Sequence, residues 1–442
     1  MAPRRRFNPT PRLAAALFLA ALPAVLPGMA WLSGALVAVL IEVFLGQTVA
    51  VLLGLGRIPL LFGVTNILKE PVLLPGALVY VALVYLLPTL LVARATAGPA
   101  NRAAGWLLRF PMILSLAVHL GLLYLALSLW AGLNDYRLLL VKLMLIAIMI
   151  TLSLNLVNGY MGEFSCSHPG FMALGAYSAS VVTVLFFVDD RVFGPALLPA
   201  ALGPFLFPLA LIAGGAVAAI GALVVAIPSF RTRGDYLAII SLAFLFIVKS
   251  LVENLEVVGG PRGFMGQPDW ANLPTVFIWA VLCVGIINSF VRSTMGKALN
   301  AVRDDETAAN AMTVDTRKTK MVAFLFAAFW AGVAGGLFAH VMRYVNPGTF
   351  GVQKLAESLA MLYFGGLNSV IGSIAGAVGF SMFSEALRPL EIYKWIIIPV
   401  LLILVMIYRP TGLIAFRDFD INRLLQPKAM PDRRVGPDIA GD

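Results

Sequence analysis

The chain has 442 residues, 60% hydrophobic and 12% charged, about half the charged share of a soluble globule. With a mean hydropathy of +0.92, this excludes a disordered chain, a collagen or a secreted disulfide scaffold. The net charge of +10 gathers in short loops, as the positive-inside rule requires, and no basic stripe interleaved with aromatics marks a nucleic-acid partner. The composition predicts an all-α polytopic membrane protein, with about 10 to 12 transmembrane helices, some of them interrupted or re-entrant.

The first residues, Met1 to Arg6, with three arginines before an apolar run from Leu13, mimic a secretory signal. Pro23 and Pro27 interrupt that run and a second apolar stretch follows, so it reads as a retained first span. Apolar stretches long enough to cross a bilayer lie near 13–27, 30–55, 72–93, 111–133, 138–158, 169–188, 205–227, 236–258, 273–291, 321–341, 357–386 and 394–408. Helices are required because lipid offers no partner for a free backbone group. The alternation of an outer-membrane barrel is absent.

Charge sets the sidedness. Residues 292–320 hold Arg292, Lys297, Arg303, Arg317, Lys318 and Lys320 and are placed in the cytoplasm. Counting back by spans brings Arg231 and Arg233 to the same side, and then Arg94, Arg102 and Arg109. The basic tail from Arg409 also belongs inside, which requires 357–386 to pass twice or to re-enter, breaking near Gly365 and Gly366. The first 70 residues do not fit this alternation, since Arg4 to Arg6 favour the cytoplasm while two spans over 13–55 would place them outside.

The most informative interruption runs from Asn155 to Gly170, with three glycines, a proline and the polar residues Asn155, Asn158, Glu163, Ser165, Ser167 and His168. Broken helices in membranes are tolerated where they are buried in protein or line a cavity, and their ends make ligand sites. These six are the candidate substrate-pathway residues; an ordinary short loop, or polar packing between helices, is the alternative. Glu163 costs roughly 2.5 kcal/mol or more in hydrocarbon, so it should face a pathway, a partner or the interface. Glu42, Lys249, Glu253 and Glu256 also interrupt apolar runs. Lys249 and Glu253 share a helical face and can pair, either near a helix end or as ion-coupling groups. His119 and His340 stand alone and are assigned no function. No cluster has metal-ligand spacing, no serine–histidine–acid set is present and no phosphate-gripping glycine loop occurs, so no metal, cofactor or catalytic residue is expected. Cys166 and Cys283 lie in apolar surroundings and form no disulfide framework.

The segment from Ser293 to Met312 is the longest soluble stretch between spans. Asp304 to Glu306 followed by alanines at 308, 309 and 311 reads as a short helix with an acidic first turn, suited to docking in a groove of another protein or to a solvated connector. With other segments, it resembles the LivM-type permease subunits of ABC importers for branched-chain amino acids. Glu306-Thr-Ala308-Ala309 sits where those permeases carry their coupling loop. Arg231-Thr-Arg233-Gly234-Asp235-Tyr236-Leu-Ala-Ile resembles a family segment, as do Gly259-Gly260-Pro261-Arg262-Gly263, Leu154-Asn155-Leu with Gly159-Tyr160-Met-Gly162, Phe171 to Tyr177, and Arg409-Pro410-Thr-Gly412-Leu413.

The resemblance runs from about residue 137 to 416 and implies three parts. These are a variable N-terminal membrane extension (1–110), a permease core (111–416) with a coupling loop at 292–320, and a cytoplasmic tail (417–442). It implies Arg303, Asp304, Asp305, Glu306, Ala308 and Ala309 as ATPase-coupling residues. The implied partners are a LivH-type second permease, two ABC ATPases, a periplasmic or lipid-anchored binding protein and membrane lipid, in a bacterial inner membrane. Two departures stand out. Thr313 replaces a glycine usual just after the coupling helix. Residues 163–170 differ from the family's usual Leu or Gln near 163 and its Gly and Ala near 167 and 169, which leaves urea, amides or aromatic acids as alternative cargo. An ion-coupled secondary transporter is the reading from another class.

Overall fold

The computed structural model describes residues 28–53, 55, 74–107, 112–189, 192–230, 236–387, 394–408, 412 and 414. The expected span at 13–27, Arg4 to Arg6, the segment Arg231 to Asp235, Arg409-Pro410 and the tail lie outside the described residues. Among the described residues, nine helices are long and apolar enough to cross a membrane, and two shorter apolar helices follow near the C-terminus. The chain forms two compact units, Met1–Leu133 with Asp420–Asp442, and Asn134–Phe419.

In the first unit, α1 (Gly28–Leu52) packs along α3 (Leu87–Leu107), which continues α2 (Leu74–Tyr80) through a widened π-helical turn at Val81–Leu86. The close approach is made at Gly34, where a β-carbon would stand 2.5 Å from the Thr89 carbonyl oxygen. Ser33 and Thr96 share a hydroxyl hydrogen bond of 2.9 Å beside it. The helix α4 (Met112–Ala131) packs on α1 and α3 and so belongs to this unit. The sequence-based division at 110/111 had grouped it with the core.

The second unit is built around α5 (Asp135–Asn155), capped by Asn134, whose side chain accepts the Tyr136 N–H at 3.1 Å. Its residues from Met144 to Leu154 are apolar or small hydroxyl residues on every face and buried throughout, as a helix without a charged side requires. It continues through a π-helical turn at Leu156–Tyr160, and a short linker, 161–167, leads into α6 (His168–Phe187). Then come α7 (Gly203–Ser229), α8 (Tyr236–Asn254) and α9 (Leu273–Arg292). Two short helices, α10 (Thr294–Asp304) and α11 (Glu306–Ala311), precede the long α12 (Thr316–Met342).

Lipid tails are as apolar as leucine, so membrane helices associate through close packing rather than water exclusion. Here α6, α7 and α12 do so through small residues. A β-carbon on Gly175 would stand 2.1 Å from the Gly332 carbonyl oxygen, one on Gly335 2.0 Å from that of Met172, and one on Gly332 2.5 Å from the Ala218 methyl. These three helices therefore touch backbone to backbone.

The expected break near Gly365-Gly366 is present. α13 (Val352–Gly365) and α14 (Val370–Ala386) form a tight antiparallel hairpin, in which Gly365 lies against Gly372 and Gly376 against Met361. With 14 and 17 residues they are about 21 and 26 Å long, short of a roughly 30 Å hydrocarbon core. A final helix, α15 (Lys394–Tyr408), packs on α13. At the end of α12 far from α10 and α11, a two-stranded antiparallel ribbon pairs β1 (Phe264–Met265) with β2 (Tyr344–Val345). The Gly259 to Gly263 loop needs its glycines there: Gly259, Gly260 and Gly263 all have positive φ, and a β-carbon on Gly263 would meet the Val345 carbonyl oxygen at 2.5 Å.

Candidate functional site

The proposed docking element is a capped helix. Asp305 is extended, and one of its carboxylate oxygens accepts the N–H groups of both Thr307 and Ala308 at 2.9 Å, the arrangement that its place before a short helix predicts. Arg303 pairs with Asp304 at 2.7 Å. Ala309 is buried, whereas Thr307, Ala308, Asn310 and Ala311 face outward and Met312 is 77% exposed. An apolar side chain displayed at the end of a surface helix is the kind of group a groove receives. The sequence reading had passed over Met312 as a site residue.

The helix ends in a left-handed turn, with Thr313 at φ 65° and the Val314 N–H reaching back to the Ala309 carbonyl at 3.1 Å. Thr313 thus holds a backbone conformation that glycine adopts freely. A β-branched residue there costs roughly 1 kcal/mol. Thr313→Gly is therefore expected to raise the melting temperature of the detergent-purified protein by about 2 °C; a lower melting temperature would mean that the threonine side chain supplies a compensating contact.

The six pathway candidates divide into five that are buried and Glu163. Asn155, fully buried, donates to the Ser369 carbonyl (3.0 Å) and the Ser373 hydroxyl (2.7 Å) and accepts the Asn368 N–H (3.0 Å). It therefore fastens α5 to the break of the α13–α14 hairpin. Gly159 makes room for it, since a β-carbon there would overlap the Asn155 amide oxygen at 1.9 Å. Asn158 accepts the Ser165 N–H at 3.2 Å, Ser165 and Ser167 share a hydroxyl bond of 2.8 Å, and the Cys166 N–H donates to Ser241 on α8 at 2.8 Å. His168 is buried edge-on against Phe171, with ring centres 5.8 Å apart. Burial pushes the Cys166 thiol above its ordinary pKa, with Ser241 partly offsetting the shift, so this is an inert thiol.

A buried polar group left without its partner costs about 1–3 kcal/mol. Asn155→Leu strands the Asn368 N–H and takes one donor each from the Ser369 carbonyl and the Ser373 hydroxyl, so it should lower stability by about 2 kcal/mol and expose residues 366–369 to protease. Unchanged melting and digestion would mean that the hairpin holds without this clasp.

The coupling and pathway sets, remote in sequence, meet through a residue assigned to neither. The Lys320 ammonium donates to Glu163 Oε1 at 2.7 Å and to Glu306 Oε2 at 2.8 Å. Its side chain is 11% exposed, against 28% for Glu163 and 53% for Glu306. Beside this bridge Gly162 has φ 76°, and a β-carbon on it would stand 2.4 Å from Arg303 Cγ. One sequence feature could have singled out Lys320: Arg317, Lys318 and Lys320 crowd the first turns of α12, where the helix dipole disfavours cations and a buried one needs an acid.

Other polar groups of the apolar runs have local partners. His340 is satisfied by Thr183 Oγ1 (2.9 Å) and the Gly336 carbonyl (2.7 Å), and His119 by the Ser115 carbonyl (2.7 Å). Lys249 and Glu253 pair at 3.7 Å near the end of α8, both about a third exposed, where such pairs contribute little. Among the described residues no group of three or more His, Cys, Asp or Glu could hold a metal ion. Near the ribbon end of α12, a cavity of about 460 Å³ is lined by Tyr344, Asn346, Gln353, Lys354 and Glu357 among others.

Among the described residues, nine apolar helices and a core helix broken at a π-helical turn define a multi-pass α-helical membrane protein. Residues 136–406 match the family described as the permease component of the branched-chain amino acid transport system, and the chain belongs to that family. It is 30% identical to the high-affinity branched-chain amino acid transport permease protein LivM of Escherichia coli (strain K12), over 62% of this chain and 68% of the relative. A probable LivM of Methanocaldococcus jannaschii is 24% identical over 60% of this chain and 89% of its own length. The permease protein LivH of E. coli K12 is 29% identical over 39% of this chain and 60% of its own. No solved structure matches the chain.

Proposed function

We propose that the chain is the LivM-type permease subunit of an ABC importer, moving branched-chain amino acids across a bacterial inner membrane. It works beside a LivH-type second permease, two ABC ATPases that hydrolyse the ATP, and a periplasmic or lipid-anchored binding protein. The observation that carries this reading is the capped helix Glu306–Ala311, with Thr307, Ala308, Ala311 and Met312 outward, within the stretch that matches the permease family. ATP-driven closure of the ATPase pair would move this helix, and the permease halves would alternate between outward and inward openings. The driving energy is the ATPases' differential affinity for those two states.

Residues 134–419 carry the permease function, and those before them form a membrane extension. Glu163, partly buried in the linker, faces the inner end of the substrate path, and the five buried candidates hold the backbone that presents it. The binding protein supplies most of the selection. The unusual stretch from Glu163 to Gly170 supports a second reading, the same machine carrying urea, amides or aromatic acids.

The test is uptake of labelled leucine, urea and benzoate in cells with and without the gene, with ATP depleted in parallel. Loss of ATP-dependent leucine uptake on deletion is the expected result. Loss of urea or benzoate uptake alone keeps the machine and changes the cargo. Uptake that follows the proton gradient and ignores ATP overturns the proposal in favour of an ion-coupled secondary transporter.

A further inference from the structure

We propose that Lys320 is a positioning residue for energy coupling. Its ammonium ties the docking helix α11, through Glu306, to the 161–167 linker, through Glu163, so that displacement of α11 is carried into α5 and the α13–α14 hairpin. This rests on the reading of α11 as the element an ATPase moves.

Three features of the geometry support the role. First, one cation is shared by two carboxylates, at 2.7 and 2.8 Å. If Glu306 is drawn outward with α11, Lys320 keeps Glu163, and no buried charge is left alone. Removing the only partner of a buried charge is what makes such pairs costly to open; a shared cation avoids that cost, as a joint that moves requires. Second, α10 is locked to the same linker by packing, since the stem of Arg303 fills the space beside Gly162. The linker therefore receives the α10–α11 junction from both sides, through the last turn of α10 and the first residue of α11. Third, the linker is not slack. Ser165 is held by Asn158, Cys166 by Ser241 on α8, and Asn155, just before the π-helical turn, clasps Ser369 and Ser373. A contiguous run of packed and hydrogen-bonded groups thus leads from the displayed helix to the hairpin, the physical form that energetic coupling between distant sites needs.

The experiment uses the full complex, this chain with its second permease, ATPases and binding protein, in proteoliposomes. It reads leucine transported per ATP hydrolysed. Lys320→Met keeps the length of the side chain and removes its charge. The assembled complex is expected to retain ATP hydrolysis while transport per ATP falls about tenfold, within the 5- to 150-fold span of ordinary coupling energies. Lys320→Arg should preserve the ratio, and Lys320→Glu combined with Glu163→Lys should restore part of it, which a merely structural role would not do.

An unchanged ratio in assembled Lys320→Met complex overturns the proposal, as does an equal loss of hydrolysis and transport. If Lys320→Met does not assemble, Lys320→Gln is read in the same way, and an unchanged ratio there overturns it equally. A wild-type chain that fails to co-purify with ABC ATPases would overturn the functional reading and this inference together. Normal assembly with an intact ratio in the variants removes only the role of Lys320.

Discussion

Gly175→Val should yield a chain that inserts in the membrane but does not form a stable permease unit. The β-carbon alone would stand 2.1 Å from the carbonyl oxygen and 2.3 Å from the α-carbon of Gly332. Both are backbone atoms, which no rotamer change can move aside, so α6 and α12 must separate. Overpacking a well-packed core costs about 1–3 kcal/mol and sometimes more; here the upper end applies, because the separation also opens the contacts of Gly335 with Met172 and of Gly332 with Ala218 on α7. We expect a melting temperature about 5 °C or more below that of the parent in detergent, or loss of the monodisperse peak on size exclusion. Gly285→Ala on α9, where nothing lies within 4 Å of the added methyl, should be neutral or slightly stabilising. Equal behaviour of the two variants would remove the close crossing as the basis of the core.

Glu306→Lys should cut uptake at least about tenfold while leaving insertion intact. The substitution removes one carboxylate from Lys320 and sets a second ammonium near the first. In a fully buried pair that loss is about 3–5 kcal/mol; Glu306 is half-exposed, at 53%, so water screens much of it and the unit still folds. The consequence falls on α11, which is pushed off the linker it is tied to. ATPase association should weaken and leucine uptake should drop about tenfold or more, the effect of some 1.4 kcal/mol in docking. Glu306→Gln, which keeps an oxygen for Lys320, should be far milder. Normal uptake in Glu306→Lys would end the coupling role of this residue.

Much of the fold was legible from local pattern. The apolar runs gave the helices because a membrane leaves the backbone no alternative. The turn at Gly366–Ser369 appeared where a glycine pair met the need to bring the basic tail inside. The acidic first turn of the helix at Glu306 follows from residue types in one short segment, whereas the left-handed turn at Thr313 runs against the preference of a β-branched residue. The boundary of the N-terminal unit did not follow in this way. Met112–Ala131 is apolar like its neighbours on both sides, and only its packing on α1 and α3 assigns it.

The candidate site was legible in its parts and not in its assembly. Asn155, Asn158, Ser165, Ser167 and His168 were visible as polar residues in an apolar stretch, but the partners of Asn155 lie more than 200 residues away, in the hairpin. Lys320 counted only as one more cytoplasmic charge, since Glu163 is 157 residues from it and no periodicity links them. By itself, the sequence determined the membrane class, the helices and the hairpin break, all of which depend on hydropathy and backbone preference within a few residues. Only the tertiary structure decided which glycines face backbone, which polar groups satisfy one another, and that one lysine joins the displayed helix to the linker. These are matters of distance between segments, and distance enters only once α5, α6 and α12 are packed together.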